Sequence, residues 1–539
     1  MKSFLGQCLF FCFGSFILTS TAFAVSCHPE SPRSATAADT ARASLDFATA
    51  EKLYAAELKS SPDSEDALIG YSISLLDEDK VAEALAAAQN AIQQKRTSAA
   101  LMAVLGEIQF RLANLKEAGA AFQSALALDP CSARAHYAIV RFLEANSMHA
   151  SAQQQLDVAH LLAPSDPAIT AQWRQWRPAA ERATYLKQEL NQNNISAKTR
   201  ENLADSISYL EKQSEIEREG GCHVVSSVKD LTQTMVPLGG GDMRVPDMGS
   251  DDRALGLDVR LNDKASARLL FDTGASGIFV SRAVAERAGL KPFRKLTFGG
   301  FGDEAEPTGY SALVDDLRLG QLEFKNCMVQ VSDKNGVIDH EGLIGGDVFE
   351  SFLITVDFPM KKIRFSQLPA RPGETVSEAT LKTSGRGGSE ELHDRYIAPE
   401  MKDWVRVLRI NEDLIIPTTI RDNHIHMFII DTGAYSCIID TSVAGEVTKV
   451  SKTDTIVEGV SGKVKDVRRG DSVVVQFGNL KARLDDATLL DTSRFSKADR
   501  LEISGFVGFS ALRFTTMQID YRDGLVHFSY DRRQGFDQY

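Results

Sequence analysis

The sequence predicts a multidomain chain in which an all-α solenoid of helical hairpins precedes two all-β lobes of comparable size. Three observations carry that expectation. Alanine-rich segments recur with a 34-residue spacing through residues 45–164. Glycine clusters near 220 and 240 then mark a change to alternating apolar and β-branched residues. Within the β-rich half the tetrapeptide Asp-Thr-Gly-Ala occurs twice, at Asp272 and Asp431, each time at the end of an apolar run. A chain of 539 residues is too long for one ordinary domain, and roughly two to four are expected. The expected divisions are 1–24, 40–217, 235–370, 371–394 and 395–535.

Residues 1–24 read as a signal peptide. Lys2 precedes an apolar stretch over 9–18, and Ala22-Phe23-Ala24 offers a small-x-small cleavage pattern. That stretch is too short to span a bilayer, and no other segment approaches the needed length. Export to a periplasm or the extracellular space is expected. A membrane-anchored lipoprotein is the alternative, because Ala24-Val25-Ser26-Cys27 loosely matches the box before a lipidated cysteine. Ala24 departs from that pattern, which usually has a larger aliphatic residue there.

Cys8 and Cys12 leave with the leader. Cys27, Cys131, Cys222, Cys327 and Cys437 are scattered, with neither disulfide-framework nor zinc-site spacing. A Cys131–Cys222 bridge is one option in an oxidising compartment. Cys437 lies in an apolar run and reads as a small core residue. The formal charge of −13 leaves no basic excess for nucleic acid, which is not expected as a partner.

In the helical part, Pro62, Pro130 and Pro164 keep a 34-residue register, as do Ala50, Ala84, Ala118 and Ala152. Ala91, Ala125 and Ala159 repeat likewise. Small residues let paired helices approach, and proline ends the second helix of each pair. The stretch from Leu105-Gly106 through Ala118, Phe122 and Ala125 to Pro130 resembles a tetratricopeptide repeat. Three to four such repeats are expected, with capping helices over 173–217. The resemblance implies a concave groove for a partner peptide or protein.

The β lobes read alike. Residues 255–261 alternate, turn at Asn262-Asp263 and return into Asp272-Thr273-Gly274-Ala275. Residues 415–420 turn at Asp422-Asn423 and return into Asp431-Thr432-Gly433-Ala434. Gly300 and Gly459 each follow 28 residues after the aspartate, in glycine-containing turns that include Phe301 and Val460. Leu343-Ile344-Gly345 and Phe506-Val507-Gly508 form a second matching element, each followed 12 residues later by Asp357 or Asp520. Two copies with shared later landmarks argue for a duplicated lobe.

This pattern resembles the retropepsin-like and pepsin-like aspartic proteases over residues 235–535. The lobe count is pepsin-like, while lobe size and the Asp-Thr-Gly-Ala loops are retropepsin-like. The resemblance implies catalysis by Asp272 and Asp431, one from each lobe. Thr273, Gly274, Ala275, Thr432, Gly433 and Ala434 would shape the loops, and Gly300, Phe301, Gly459 and Val460 would form substrate-binding flaps. Ala275 and Ala434 replace the Ser or Thr usual in pepsin-like enzymes, which puts a strongly acidic optimum in doubt. Thr273 and Thr432 are implied to hydrogen-bond across the loops. Two carboxylates close enough to share a proton suit general acid–base attack by water, with no metal, cofactor or covalent nucleophile.

Each element also has a plainer reading. A lone Asp-x-Gly is often just a turn, and the glycine turns could be ordinary hairpins. Asp357 and Asp520 suit turn capping. Ser276 has no histidine signalled nearby, and His424 and His426 lack a spaced third metal ligand. The expected function is an exported aspartic endopeptidase acting on a peptide or protein substrate. If residues 45–217 recruit partners rather than shape the active site, their deletion is expected to leave hydrolysis of short peptides largely intact. Loss of folded β lobes would make the helices a structural part instead. The alternative is a catalytically inactive protease-fold scaffold that binds peptide without turnover. Whether the lobes pair within one chain or between two stays open at this level.

Overall fold

The computed structural model describes residues 27–30, 34–192, 195–238, 254–299, 302–303, 306–332, 341–374, 392–421, 424–459 and 461–530. The expected leader at 1–24, Gly300, Phe301, Val460 and most of the 371–394 linker lie outside them.

The N-terminal half is helical from Ala37–Ala43 to Ala197–Arg218. Helices Glu65–Asp77, Ala99–Arg111, Ala133–Ala145 and Pro167–Gln175 start 34 residues apart. So do Phe47–Ser60, Val81–Gln93, Leu115–Leu128 and His149–Leu162. The register is also written in the helix starts and turns. Ser64, Ser98, Ser132 and Asp166 cap the first helix of each hairpin by accepting a backbone N–H. Leu45, Asp79, Ala113 and Ser147 all take the left-handed conformation before the second helix. Ala50, Ala84, Ala118 and Ala152 are fully buried where paired helices touch.

Two disulfides join distant segments, Cys27 to Cys131 and Cys222 to Cys327. They replace the Cys131–Cys222 pairing, and the reason is local docking. The Glu30 side chain caps Ala133 and its N–H bonds to the Leu162 carbonyl, which brings Cys27 to Cys131. Strand His223–Val224 pairs with Leu322–Ser332, which brings Cys222 to Cys327. Cys437 is free and buried. A cysteine in a disulfide has no thiol to acylate, so lipid attachment and the Cys27–Cys131 bond exclude one another.

The two β lobes share one topology. In the first, Ala254–Leu261 and Ala265–Asp272 form a hairpin turning through left-handed Asn262 and Asp263. Strand Gly342–Gly345 lies parallel to Ala265–Asp272 and antiparallel to Ile278–Ser281. The second lobe repeats this with Asp413–Ile420, His424–Ile430, Gly505–Val507 and Ile438–Asp440. In both, the aspartate loop leaves one strand and returns two positions away, with the apolar-apolar-glycine strand between. The buried apolar faces of both lobes merge into one core.

A six-stranded antiparallel sheet ties the lobes within a single chain. Phe352–Asp357 of the first lobe pairs directly with Thr515–Asp520 of the second, Ile354 opposite Ile519. Residues Asp230–Thr234 add an edge strand to this sheet.

The helical array is not a detached module. Phe110, Phe122, Ile139 and Phe142 share a buried cluster with Leu408, Ile410, Ile415, Met427, Ile429 and Phe506 of the second lobe. The Arg111 and Arg141 guanidinium groups donate to the carbonyls of Ser496 and Asp499, and Glu502 N–H donates to the Arg111 carbonyl at 2.8 Å. A cavity of about 1690 Å³ remains between the array and the junction of the lobes, lined by Tyr137, Arg141, Gln172, Glu350 and Arg409 among others.

Candidate active site

Each aspartate ends an apolar strand whose parallel neighbour anchors it. Gly345 stands opposite Asp272, and Asp431 N–H donates to the Val507 carbonyl at 3.0 Å. The threonines then interlock the loops. Thr273 N–H donates to Thr432 Oγ1 and Thr432 N–H to Thr273 Oγ1, both at 3.1 Å. Each hydroxyl donates onward across the interface, Thr273 to the Ile430 carbonyl and Thr432 to the Phe271 carbonyl, both at 2.7 Å. Four bonds with two-fold symmetry, buried from water, fix the loops against one another.

That grip brings the carboxylates together. A Cβ added at Gly274 would lie 2.7 Å from Asp431 Cγ, and one at Gly433 would lie 2.5 Å from Asp272 Cγ. Only glycine leaves room for each carboxyl over the opposite loop. Asp272 Oδ1 accepts from Gly274 N–H at 2.9 Å. Asp431 Oδ1 accepts from both Gly433 N–H at 2.9 Å and Ala434 N–H at 2.8 Å.

Burial, and then the charge of Asp431, hold the Asp272 carboxyl well above the usual carboxylate range. Burial also raises Asp431, against the lowering effect of its backbone donors. Two buried acids at this separation hold one proton between them. Backbone N–H groups of both loops point at the two carboxyls and favour the charged form, against burial.

Sequence reasoning passed over Asp347, which supports the first loop. Both its carboxylate oxygens accept from Gly277 N–H, at 3.0 and 2.9 Å. Burial pushes its pKa up to about 7. The signal was the Gly345-Gly346-Asp347 run, which becomes Gly508-Phe509-Ser510 in the second lobe. Asp357 and Asp520 accept from Met360 and Asp523 N–H groups and cap turns. Gly459 lies in the short hairpin Glu458–Gly459 with Gly462–Lys463, whereas Gly300, Phe301 and Val460 fall outside the described residues. Ala275 and Ala434 follow the loop glycines without a hydroxyl, and Ala434 supplies the N–H already described.

Residues 257–348 match the aspartyl protease family, a stretch that holds the first loop and ends at Val348. Among solved structures, the chain is similar to an aspartic proteinase from Irpex lacteus at 10% identity and a TM-score of 0.33. That alignment covers 52% of this chain and 96% of the other. It is also similar to a retropepsin-like aspartic protease from Rickettsia conorii at 20% identity and a TM-score of 0.19, covering 26% of this chain and 93% of that one. No curated protein matches. The C-terminal half is a bilobed β fold. The family match covers only its first lobe, and the second is tied to it by the repeated strand order and the reciprocal threonine bonds.

Proposed function

We propose that this chain is an aspartic-type endopeptidase in which Asp272 and Asp431 act as one dyad. The observation that carries this reading is the placement of each carboxyl over the other loop's glycine. With the proton on Asp272, Asp431 takes a proton from a water lying between the carboxyls. Asp272 donates to the scissile carbonyl oxygen as the water oxygen attacks its carbon. The tetrahedral diol then collapses as Asp431 gives its proton to the departing amine nitrogen and Asp272 takes one from a diol hydroxyl, which restores the dyad. An extended peptide pairs its backbone with the hairpins above the dyad.

The chain acts after export. The leader at 1–24 and the two disulfides support this, because both suit an oxidising compartment. The helices form tetratricopeptide-like repeats, supported by helix starts, caps and left-handed turns in one 34-residue register. A partner or substrate segment binds in the cavity their inner face encloses. Digestion of a peptide library, with and without pepstatin, tests the enzymatic reading. Pepstatin-sensitive cleavage is expected, and peptide binding without cleavage would leave the inactive-scaffold alternative.

A further inference from the structure

Residues 302–303 of the first lobe lie on the second lobe. Gly302 is buried against the backbone of Ser461 and Gly462. Asp303 N–H donates to the Lys463 carbonyl at 3.1 Å, and Asp303 Oδ2 accepts from Lys465 N–H at 2.7 Å. A side chain from outside both segments reinforces this crossing. Arg494 Nη1 donates to the Gly302 carbonyl at 2.5 Å, and its charge faces Asp303. Its guanidinium lies 4.8 Å from the Phe495 ring centre, and Phe495 meets Phe506 edge-on at 5.0 Å.

Arg494 belongs to a compact segment. Helix Ser493–Ala498 is closed by Thr492 Oγ1 donating to the Ile503 carbonyl at 2.5 Å and by Ile503 N–H donating to Ser496 Oγ at 2.9 Å. The helical array grips this same segment through Arg111 at Ser496 and Glu502 and through Arg141 at Asp499. The segment is therefore held by the array on one side and holds residues 302–303 on the other. Charged donors to backbone carbonyls are the stronger class of hydrogen bond, so the chain of contacts is stiff.

We propose that Arg494 is a positioning residue that clasps the 302–303 segment onto the 461–465 hairpin, and that the helical array sets its place. The clasp stands on geometry alone, and only its kinetic consequence rests on the peptidase reading. A substrate pairing with these hairpins would bind more weakly once they separate, with the dyad unchanged.

The test uses the full chain. R494A is compared with R494K, which keeps a cationic donor, and with R141A, which touches neither hairpin. Hydrogen–deuterium exchange is followed in peptides covering 302–303 and 461–465, beside kinetics on a cleaved peptide. R494A should speed exchange at both places about tenfold and raise KM about tenfold with kcat within about twofold. R494K should recover most of the loss, and R141A should speed exchange at 302–303. Unchanged exchange in R494A overturns the clasp, and a fall in kcat alone overturns its kinetic consequence. Unchanged exchange in R141A overturns the link to the array. If the wild-type chain cleaves no peptide, the exchange data still decide the clasp and only the peptidase reading fails. Should R494A not fold, Arg494→Met keeps the aliphatic length without the donors and is judged by the same criteria.

Discussion

Tyr521 of the second lobe seats its hydroxyl against Gly346 of the first, so closely that a Cβ at Gly346 would come within 2.2 Å of it. Phe358 of the first lobe occupies the equivalent place after its turn aspartate and meets Phe509, with ring centres 5.9 Å apart. The duplicated lobes thus exchange aromatic side chains just past each other's apolar-apolar-glycine element, but not equally. The larger tyrosine faces glycine, and the phenylalanine faces another ring.

That inequality gives a packing test. Gly346→Ala should destabilise the fold by about 1–3 kcal/mol through overpacking. Among the described residues the buried Tyr521 hydroxyl has no hydrogen-bond partner. Tyr521→Phe should therefore be neutral or stabilising by about 1 kcal/mol, and should soften the cost of Gly346→Ala in the double variant. Urea denaturation of the four proteins checks this, and additive effects would mean that the two positions do not touch.

The dyad predicts non-additivity. Asp272→Asn and Asp431→Asn should each lower kcat by at least about 10³-fold, and the double variant should be no worse than either. Half activity in each single variant would instead indicate separate sites. Binding of a peptide inhibitor can survive in all three, because the loops remain locked by Thr273 and Thr432.

Asp347 predicts a pH dependence. Its folded-state pKa is raised to about 7, above the ordinary carboxylate value. Its contribution to stability is therefore full below about pH 4 and is lost as pH rises toward 7. His149, lowered to about 4 by burial, opposes this in the same range, so the wild-type curve alone is ambiguous. The difference between Asp347→Asn and wild type isolates the carboxyl. The Tm of the variant relative to wild type should climb between about pH 4 and 7 and then level off. A flat difference across that range would refute the assignment.

The shared core predicts that the array and the second lobe unfold together. Phe142→Ala removes a ring packed 5.7 Å from Phe110 and 5.6 Å from Phe122, within the cluster that reaches Met427 and Phe506. A loss of about 3–5 kcal/mol in one cooperative transition is expected. Deleting 37–218 should yield insoluble β lobes, because it uncovers Leu408, Ile410 and Ile429. Soluble lobes with native circular dichroism would restore the view of the helices as a removable recruiting module.

Non-reducing peptide mapping should recover Cys27 joined to Cys131 and Cys222 joined to Cys327, with Cys437 as a free thiol on unfolding. Metabolic labelling of Cys27 with a fatty acid would exclude the first bond.

Much of this architecture is local in origin and therefore legible along the chain. A hairpin delivering Asp-Thr-Gly-Ala, the 34-residue alanine register and the turns at Asp357 and Asp520 follow from period, propensity and glycine placement. The serine caps were equally local, and Ser64, Ser98 and Ser132 stood in the same register unread. What residues 27–530 could not announce in one dimension depends on surfaces meeting. Ile354 finds Ile519 across the lobes, Cys27 finds Cys131, and the Arg111 and Arg141 side chains find backbone carbonyls. Carbonyls carry no side-chain identity, and arginine on a helix is ordinarily a solvated surface residue, so such contacts leave no pattern in the sequence. The meeting of Asp272 and Asp431 is of the same kind, because it depends on the fold laying each carboxyl over the other loop's glycine.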